Sequence, residues 1–278
     1  MLNTKMAPPL KQQHVDRASN ASLIPLTHLM SVLDLTIIGT AVCLGAIVKS
    51  VTGMGLPLIA LPIISLLVSP ETGIAILAIP SIVQNAGIVS TNWHARTETR
   101  GLTSFCLAGG VGVVIGTLSL GAVPEHVTLI ALNVTIIIWL YQRLRNPDHK
   151  IPKTKERLLS PAAGIVAGIF QGGSGVSGPV VAAWHQGLRL RRDAFVLSIA
   201  TAFGLIATTQ TITLAVNGHL EGRVLVSLAI SAIVLVSVPI GPPLRRRLSG
   251  ASFDRAVIGL VIASCISLTV DIVISLAR

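Results

Sequence analysis

The sequence predicts an all-α fold, a polytopic transmembrane helix bundle, and three observations carry that prediction. Hydrophobic residues make up 51% of the chain and charged residues only 12%, whereas a soluble domain carries roughly a quarter charged. Mean hydropathy is +0.78. Apolar stretches recur near 33–48, 56–69, 72–90, 102–120, 127–141, 161–188, 194–216, 224–241 and 256–276. Several reach the length of about 20 residues that a spanning helix needs and hold no charge. Water cannot be the solvent for most of such a surface.

The charge is unbalanced, with 21 basic against 11 acidic residues and a net charge of +10. The basic residues gather in short loops between apolar runs, where the positive-inside rule places cytoplasmic charge. Five Phe, three Trp and one Tyr are too few for base-stacking platforms, so nucleic acid is excluded and lipid is the expected surrounding. Cys43, Cys106 and Cys265 lie far apart inside apolar runs, which indicates neither disulfide nor metal. The seven histidines fall in loops or termini without an HExxH spacing. No GxSxG or phosphate-binding GxxxxGK[ST] occurs. The pattern predicts no enzyme and no cofactor, and nothing in it assigns an oligomeric state.

Residues 1–30 form a basic tail with Lys5, Lys11 and Arg17, and no cleavable signal is recognisable. The tail is expected to be flexible. A first transmembrane repeat follows at 31–141, then a basic cytoplasmic linker at 142–160 with Pro147 and Pro152, then a second repeat at 161–278. Further basic loops at 91–101, 189–193 and 244–255 are expected on the linker's side, and the loops at 121–126 and 217–223 on the other.

Both halves open on a glycine-rich segment. Gly53, Gly55 and Pro57 match Gly175, Gly178 and Pro179 with an offset of 122 between first and last members. Ala41, Leu44 and Thr52 match Ala163, Val166 and Ser174 at the same offset. Gly172, Gly173, Gly175 and Gly178 before Pro179 make a poor continuous helix. Each half is therefore expected to open with a broken or re-entrant helix hairpin and continue with three clean spans. An odd number of crossings per half inverts the second copy relative to the first. This path places the N terminus outside, against the basic character of the tail.

In hydrocarbon an unwound segment persists only when buried or lining a polar cavity. There, half-helix N-termini offer partial positive charge to an anion. The expected binding set is Thr52, Gly53, Gly55 and Pro57 at the first break, and Gly172, Gly173, Ser174, Gly175, Ser177, Gly178 and Pro179 at the second. Close helix packing is the other reading of such glycines, and it suits Gly109, Gly112 and Gly116. Lys49 lies one turn before the first break and either joins the site or snorkels to the interface. Its match at offset 122 is Gln171. Gln84, Asn85, Thr208 and Gln210 either line a polar path or bridge helices. Trp184 and His185 read as an interfacial aromatic anchor rather than a catalytic pair. Asp34 and Asp271, near the ends of the first and last spans, are candidate ion carriers or interface residues.

The stretch from Gly45 to Pro80, with Val51-Thr52-Gly53-Met54-Gly55-Leu56-Pro57, resembles the TauE/SafE sulfite-exporter family. So does 164–187, with its Gln171-Gly172-Gly173-Ser174-Gly175-Val176-Ser177-Gly178-Pro179. The resemblance runs over roughly residues 35–276. It implies a secondary transporter of the bacterial inner (cytoplasmic) membrane that exports sulfite or a small organosulfur anion. The expected partner is then a small anionic solute with a coupled proton or the membrane potential, since no nucleotide site exists. An anion channel and a membrane-embedded assembly factor without transport are the alternatives.

Overall fold

The computed structural model describes residues 32–68, 70–118, 125–145, 150–174, 177–216 and 220–276. The tail at 1–30 and Gly175 lie outside these residues. The described part consists of helices: α1 (Val32–Thr52), α2 (Leu56–Leu67), α3 (Pro70–Asn92), α4 (Leu102–Leu118), α5 (Glu125–Arg145), α6 (Lys153–Ser174), α7 (Gly178–Gly187), α8 (Arg192–Val216), α9 (Val224–Ser237), the short α10 (Gly241–Arg247) and α11 (Gly250–Leu276). A 3-10 turn at Trp93–Glu98 extends α3. Another at Val238–Ile240 joins α9 to α10. Five of the resulting helical spans are long and apolar enough to cross a membrane: Leu33–Thr52, Thr72–Glu98, Arg192–Val216, Val224–Arg247 and Gly250–Ser267. Side chains that would be core errors in water, such as Leu225 and Val236, face outward here, as a lipid-solvated surface requires.

The basic loops converge on one end of the bundle. Arg191 pairs with Glu98 at 2.8 Å, and Arg100 pairs with Glu156. Arg189 faces Asp254 at 3.8 Å, and the Ile151 amide donates to the Gly187 carbonyl at 2.9 Å. Four loops distant in sequence thus share one face, as their charge predicted. Helix enters the basic segment 142–160 from both sides. Arg143 and Arg145 end α5, and Lys153 begins α6 directly after Pro152. Long basic side chains at helix ends reach water without unwinding the backbone.

Contacts fix the direction of each helix. The carbonyls of Ser50 and Val51 reach Arg245 at the basic end, so α1 finishes there. α2 turns back along α1, with Gly45 against Leu56. α3 then starts beside α2, where Gly73 meets Leu61 and Ile64, and runs to the basic end. α4 and α6 lie parallel in backbone contact. A Cβ on Gly112 would stand 2.3 Å from the Ile165 carbonyl oxygen, and on Gly168 2.1 Å from that of Gly109. The packing reading of Gly109 and Gly112 therefore holds. α7 returns to the basic end, where its last carbonyl meets Ile151. The α1–α2 hairpin consequently has both outer ends away from the basic face, and the α6–α7 hairpin has both on it.

The 122-residue offset reappears in the helix boundaries. α1 ends at Thr52 and α6 at Ser174, while α2 begins at Leu56 and α7 at Gly178. The starts of α3 and α8 (Pro70, Arg192) and of α4 and α9 (Leu102, Val224) differ by the same number (192 minus 70, 224 minus 102). Helix encroaches on both glycine- and proline-rich segments. Pro57 and Pro179 sit in the first turns of α2 and α7, where a missing N–H costs nothing. Gly172 and Gly173 remain helical within α6. Their cost of about 1 kcal/mol each is smaller than that of leaving backbone groups unpaired in hydrocarbon.

Candidate functional site

The first break consists of Gly53, Met54 and Gly55. Gly53 (φ 87°) and Gly55 (φ 134°) occupy backbone conformations that L side chains rarely adopt. Both pack tightly: a Cβ would meet Ile199 Cγ2 at 3.1 Å from Gly53 and Val48 Cγ1 at 2.9 Å from Gly55. Thr52 holds the turn, its hydroxyl bonding the Val48 and Met54 carbonyls at 2.9 and 2.7 Å. Thr52 thus closes the helix end. Pro57 is exposed.

Arg245 organises this region, although it reads from sequence as one of four arginines in the basic loop at 244–255. It is 1% exposed. Its Nε donates to Asp193 at 3.0 Å, and its Nη1 to the carbonyls of Ser50 and Val51 at 3.3 and 3.1 Å. Its Nη2 donates to the Asn92 side chain. The last carbonyls of α1 have no partner inside their own helix, and a planar guanidinium matches several acceptors at once. Gly241 makes the approach possible, since a Cβ there would lie 2.2 Å from the Ser50 oxygen. Only the third dimension distinguishes Arg245 from Arg246 and Arg247, both exposed.

Gln84 proves to be a bridge. Its Nε2 reaches the Ala46 carbonyl at 2.7 Å and the hydroxyls of Ser50 and Ser237 at 3.2 and 3.1 Å. Thr208 bonds its own helix at the Gly204 carbonyl. Gln210 instead meets the second break. Gln171 Nε2 donates to Gln210 Oε1 at 2.9 Å, and Ser177 Oγ donates to Gln171 Oε1 at 2.7 Å. Pro179 is buried as well.

Both breaks rest on α8, at different levels. The first lies against Val196 and Ile199, and the second against Phe203 and Gln210. At 1.5 Å per residue they are separated by about 6 Å or more along that helix, so they flank its middle instead of meeting at one point. Asn85 meets α8 at the level of the second break, its Cβ facing Gly204. It is 1% exposed, and neither atom of its amide has a hydrogen-bond partner among the described residues. Ser198, on α8 beside the first break, is fully buried with its hydroxyl likewise unpartnered there. Lys49 is 2% exposed, enclosed by the protein around it. Among the described residues no carboxylate lies within ion-pair distance of it. Asp34 is half-buried near the start of α1. Asp271 lies in α11, and its side chain is outside the described residues. His185 is fully buried within the protein.

No group of three or more His, Cys, Asp or Glu that could hold a metal is found among the described residues. Comparison with curated proteins and with solved structures finds no match. The family model for the sulfite exporter TauE/SafE matches residues 37–268. That match covers most of the 278 residues, all of α2 to α10 and the greater part of α1 and α11, so the chain belongs to the TauE/SafE sulfite-exporter family of membrane transporters.

Proposed function

We propose that the protein is a secondary carrier that exports a small oxyanion, such as sulfite or an organosulfonate, across the bacterial inner membrane. One observation carries the proposal: Lys49 is buried within a broken helix and has no carboxylate beside it among the described residues. A buried cation without a counter-ion costs several kcal/mol, and a bound anion removes that cost. Asn85 adds a donor and an acceptor that the described residues leave open. The second break contributes Gln171, Ser177 and Gln210. The common offset of helix boundaries, with hairpins opening toward opposite ends, supports an inverted repeat around this level. Coupling to a proton or to the membrane potential follows from the lack of a nucleotide motif.

The test is flux in proteoliposomes across a panel of small anions, with and without a pH gradient. Lys49→Met and Asn85→Leu should abolish flux while the protein still inserts and purifies. Asn85→Leu should also leave thermal stability unchanged or raised, because burying an unpaired amide costs about 1–3 kcal/mol. Normal flux in both variants would overturn the site.

A further inference from the structure

A cavity of about 130 Å3 opens on the basic end of the bundle, near the first break but lined by none of its residues. Arg189 and Asp254 stand at its mouth, with side chains 23% and 41% exposed. His185 (0% exposed) and Gln186 (5% exposed) form its floor. Phe195 and Phe253 make an apolar wall, their rings edge to face at 5.7 Å. The volume is well above the roughly 15 Å3 that one water needs.

The floor has a defined hydrogen-bonding character. His185 Nδ1 lies 2.8 Å from the Val181 carbonyl. A carbonyl only accepts, so the ring proton of the neutral imidazole is on Nδ1 and Nε2 is an acceptor. Nε2 has no partner among the described residues, and neither has the Gln186 Nε2 donor. Arg192 adds charge from the side, one of its amino groups being held by the Arg245 and Leu248 carbonyls. The lining therefore carries two guanidinium groups and one carboxylate, and the buried floor asks for one acceptor and one donor. Arg189 is also the one non-glycine residue with positive φ (50°) among the described residues. Such strain persists where surrounding structure enforces it.

We propose that this cavity is an oxyanion-binding site, distinct from the one at the breaks, for a singly charged anion that still carries a proton. The anion's O–H donates to His185 Nε2, its oxygens accept from Gln186 and the guanidinium groups, and no bond is made or broken. Its place on the basic face makes it a receiving site for solute from that side, a role that rests on the transporter reading. Binding itself does not.

Titration calorimetry on the detergent-solubilised full chain tests this with two probes of similar shape. These are inorganic phosphate at mildly acidic pH, where it is singly charged and protonated, and methanesulfonate, which has no proton to donate. The wild type should bind phosphate at least fivefold more tightly than methanesulfonate. Gln186→Leu should weaken both at least tenfold, and His185→Leu should erase the preference. If His185→Leu aggregates on gel filtration, Arg189→Gly replaces it. That variant relieves the left-handed backbone and should weaken both probes at least fivefold without loss of thermal stability. Gly259→Ala, in open space on α11, should bind as the wild type does, and Gln171→Leu reports on the site at the breaks. No binding by the wild type at millimolar probe would overturn the proposal, as would wild-type affinity in Gln186→Leu. Binding lost in Gln171→Leu and kept in Gln186→Leu would place the anion at the breaks, sparing the carrier reading and refuting this one.

Discussion

Replacing Arg245 with methionine tests how the first break is held in place. The variant keeps most of the side-chain volume and removes the guanidinium. It leaves the Ser50 and Val51 carbonyls, the Asn92 amide oxygen and Asp193 without their shared donor. Removing one partner of a buried ionic network costs about 3–5 kcal/mol. Asp193 has a side chain 34% exposed, so solvent takes up part of its loss and the lower bound applies, about 3 kcal/mol. At about 2–4 °C per kcal/mol for a chain of this size, the apparent melting temperature in detergent should fall by roughly 6–12 °C. Arg245→Lys keeps the charge without the fork and should fall by about half as much. Arg246→Met, one residue on and exposed, should stay close to the wild type. Combining Arg245→Met with Asp193→Asn should cost less than the sum of the singles, because they share one interaction. A shift of less than about 2 °C in Arg245→Met, or strict additivity with Asp193→Asn, would refute the reasoning.

Other perturbations follow from the same contacts. Gly55→Ala places a Cβ 2.9 Å from Val48 Cγ1 at φ 134°, so flux should be lost in proteoliposomes, whereas Gly259→Ala, with nothing within 4 Å, should transport normally. Gly168→Val drives a side chain into the Gly109 carbonyl. It should separate α4 from α6, read as aggregation on gel filtration. Gln210→Leu leaves Gln171 Nε2 without its acceptor and should cost about 1–3 kcal/mol in thermal unfolding, and the double variant with Gln171→Leu should recover part of that.

How much of this was legible in the sequence depends on the range of the forces involved. Burial in lipid acts on every residue of a span, so the helices and the sidedness of their loops follow from composition and from the position of the arginines. The breaks were legible because glycine and proline act locally, and the offset of 122 reappears in the helix boundaries. Their width was misjudged because backbone pairing in hydrocarbon outweighs glycine's weak propensity and extends α6 to Ser174. Side-chain partners were not legible. Gln84 and Asn85 are adjacent and equally buried, yet one bridges three groups and the other bonds none of the described residues. Their Cβ atoms point about 100° apart around α3, and only the neighbouring helices decide what each meets. Arg245 hid in a basic run for the same reason.

The two hairpins are also held differently, and this bears on which of them moves. Both are tied to α8. The first is tied through Arg245, whose charged fork spans α1, α3 and Asp193. The second is tied through Gln171 and Gln210, a neutral amide pair that also receives Ser177. Neutral hydrogen bonds contribute about 0.5–1.5 kcal/mol net, and those to charged groups about 1.5–3 kcal/mol. Opening the second break therefore costs less than opening the first. The positions matched by the offset differ in the same sense, with Lys49 in α1 and Gln171 in α6. An alternating-access cycle with unequal halves would swing the α6–α7 hairpin, together with the α4 in backbone contact with it, against a fixed α1–α2 hairpin. Amide hydrogen exchange in the last turn of α6, at Gln171–Ser174, should then run faster than at Lys49–Thr52. Bound anion should slow it more there than at the first break. Equal protection of the two segments would assign the motion to both halves alike.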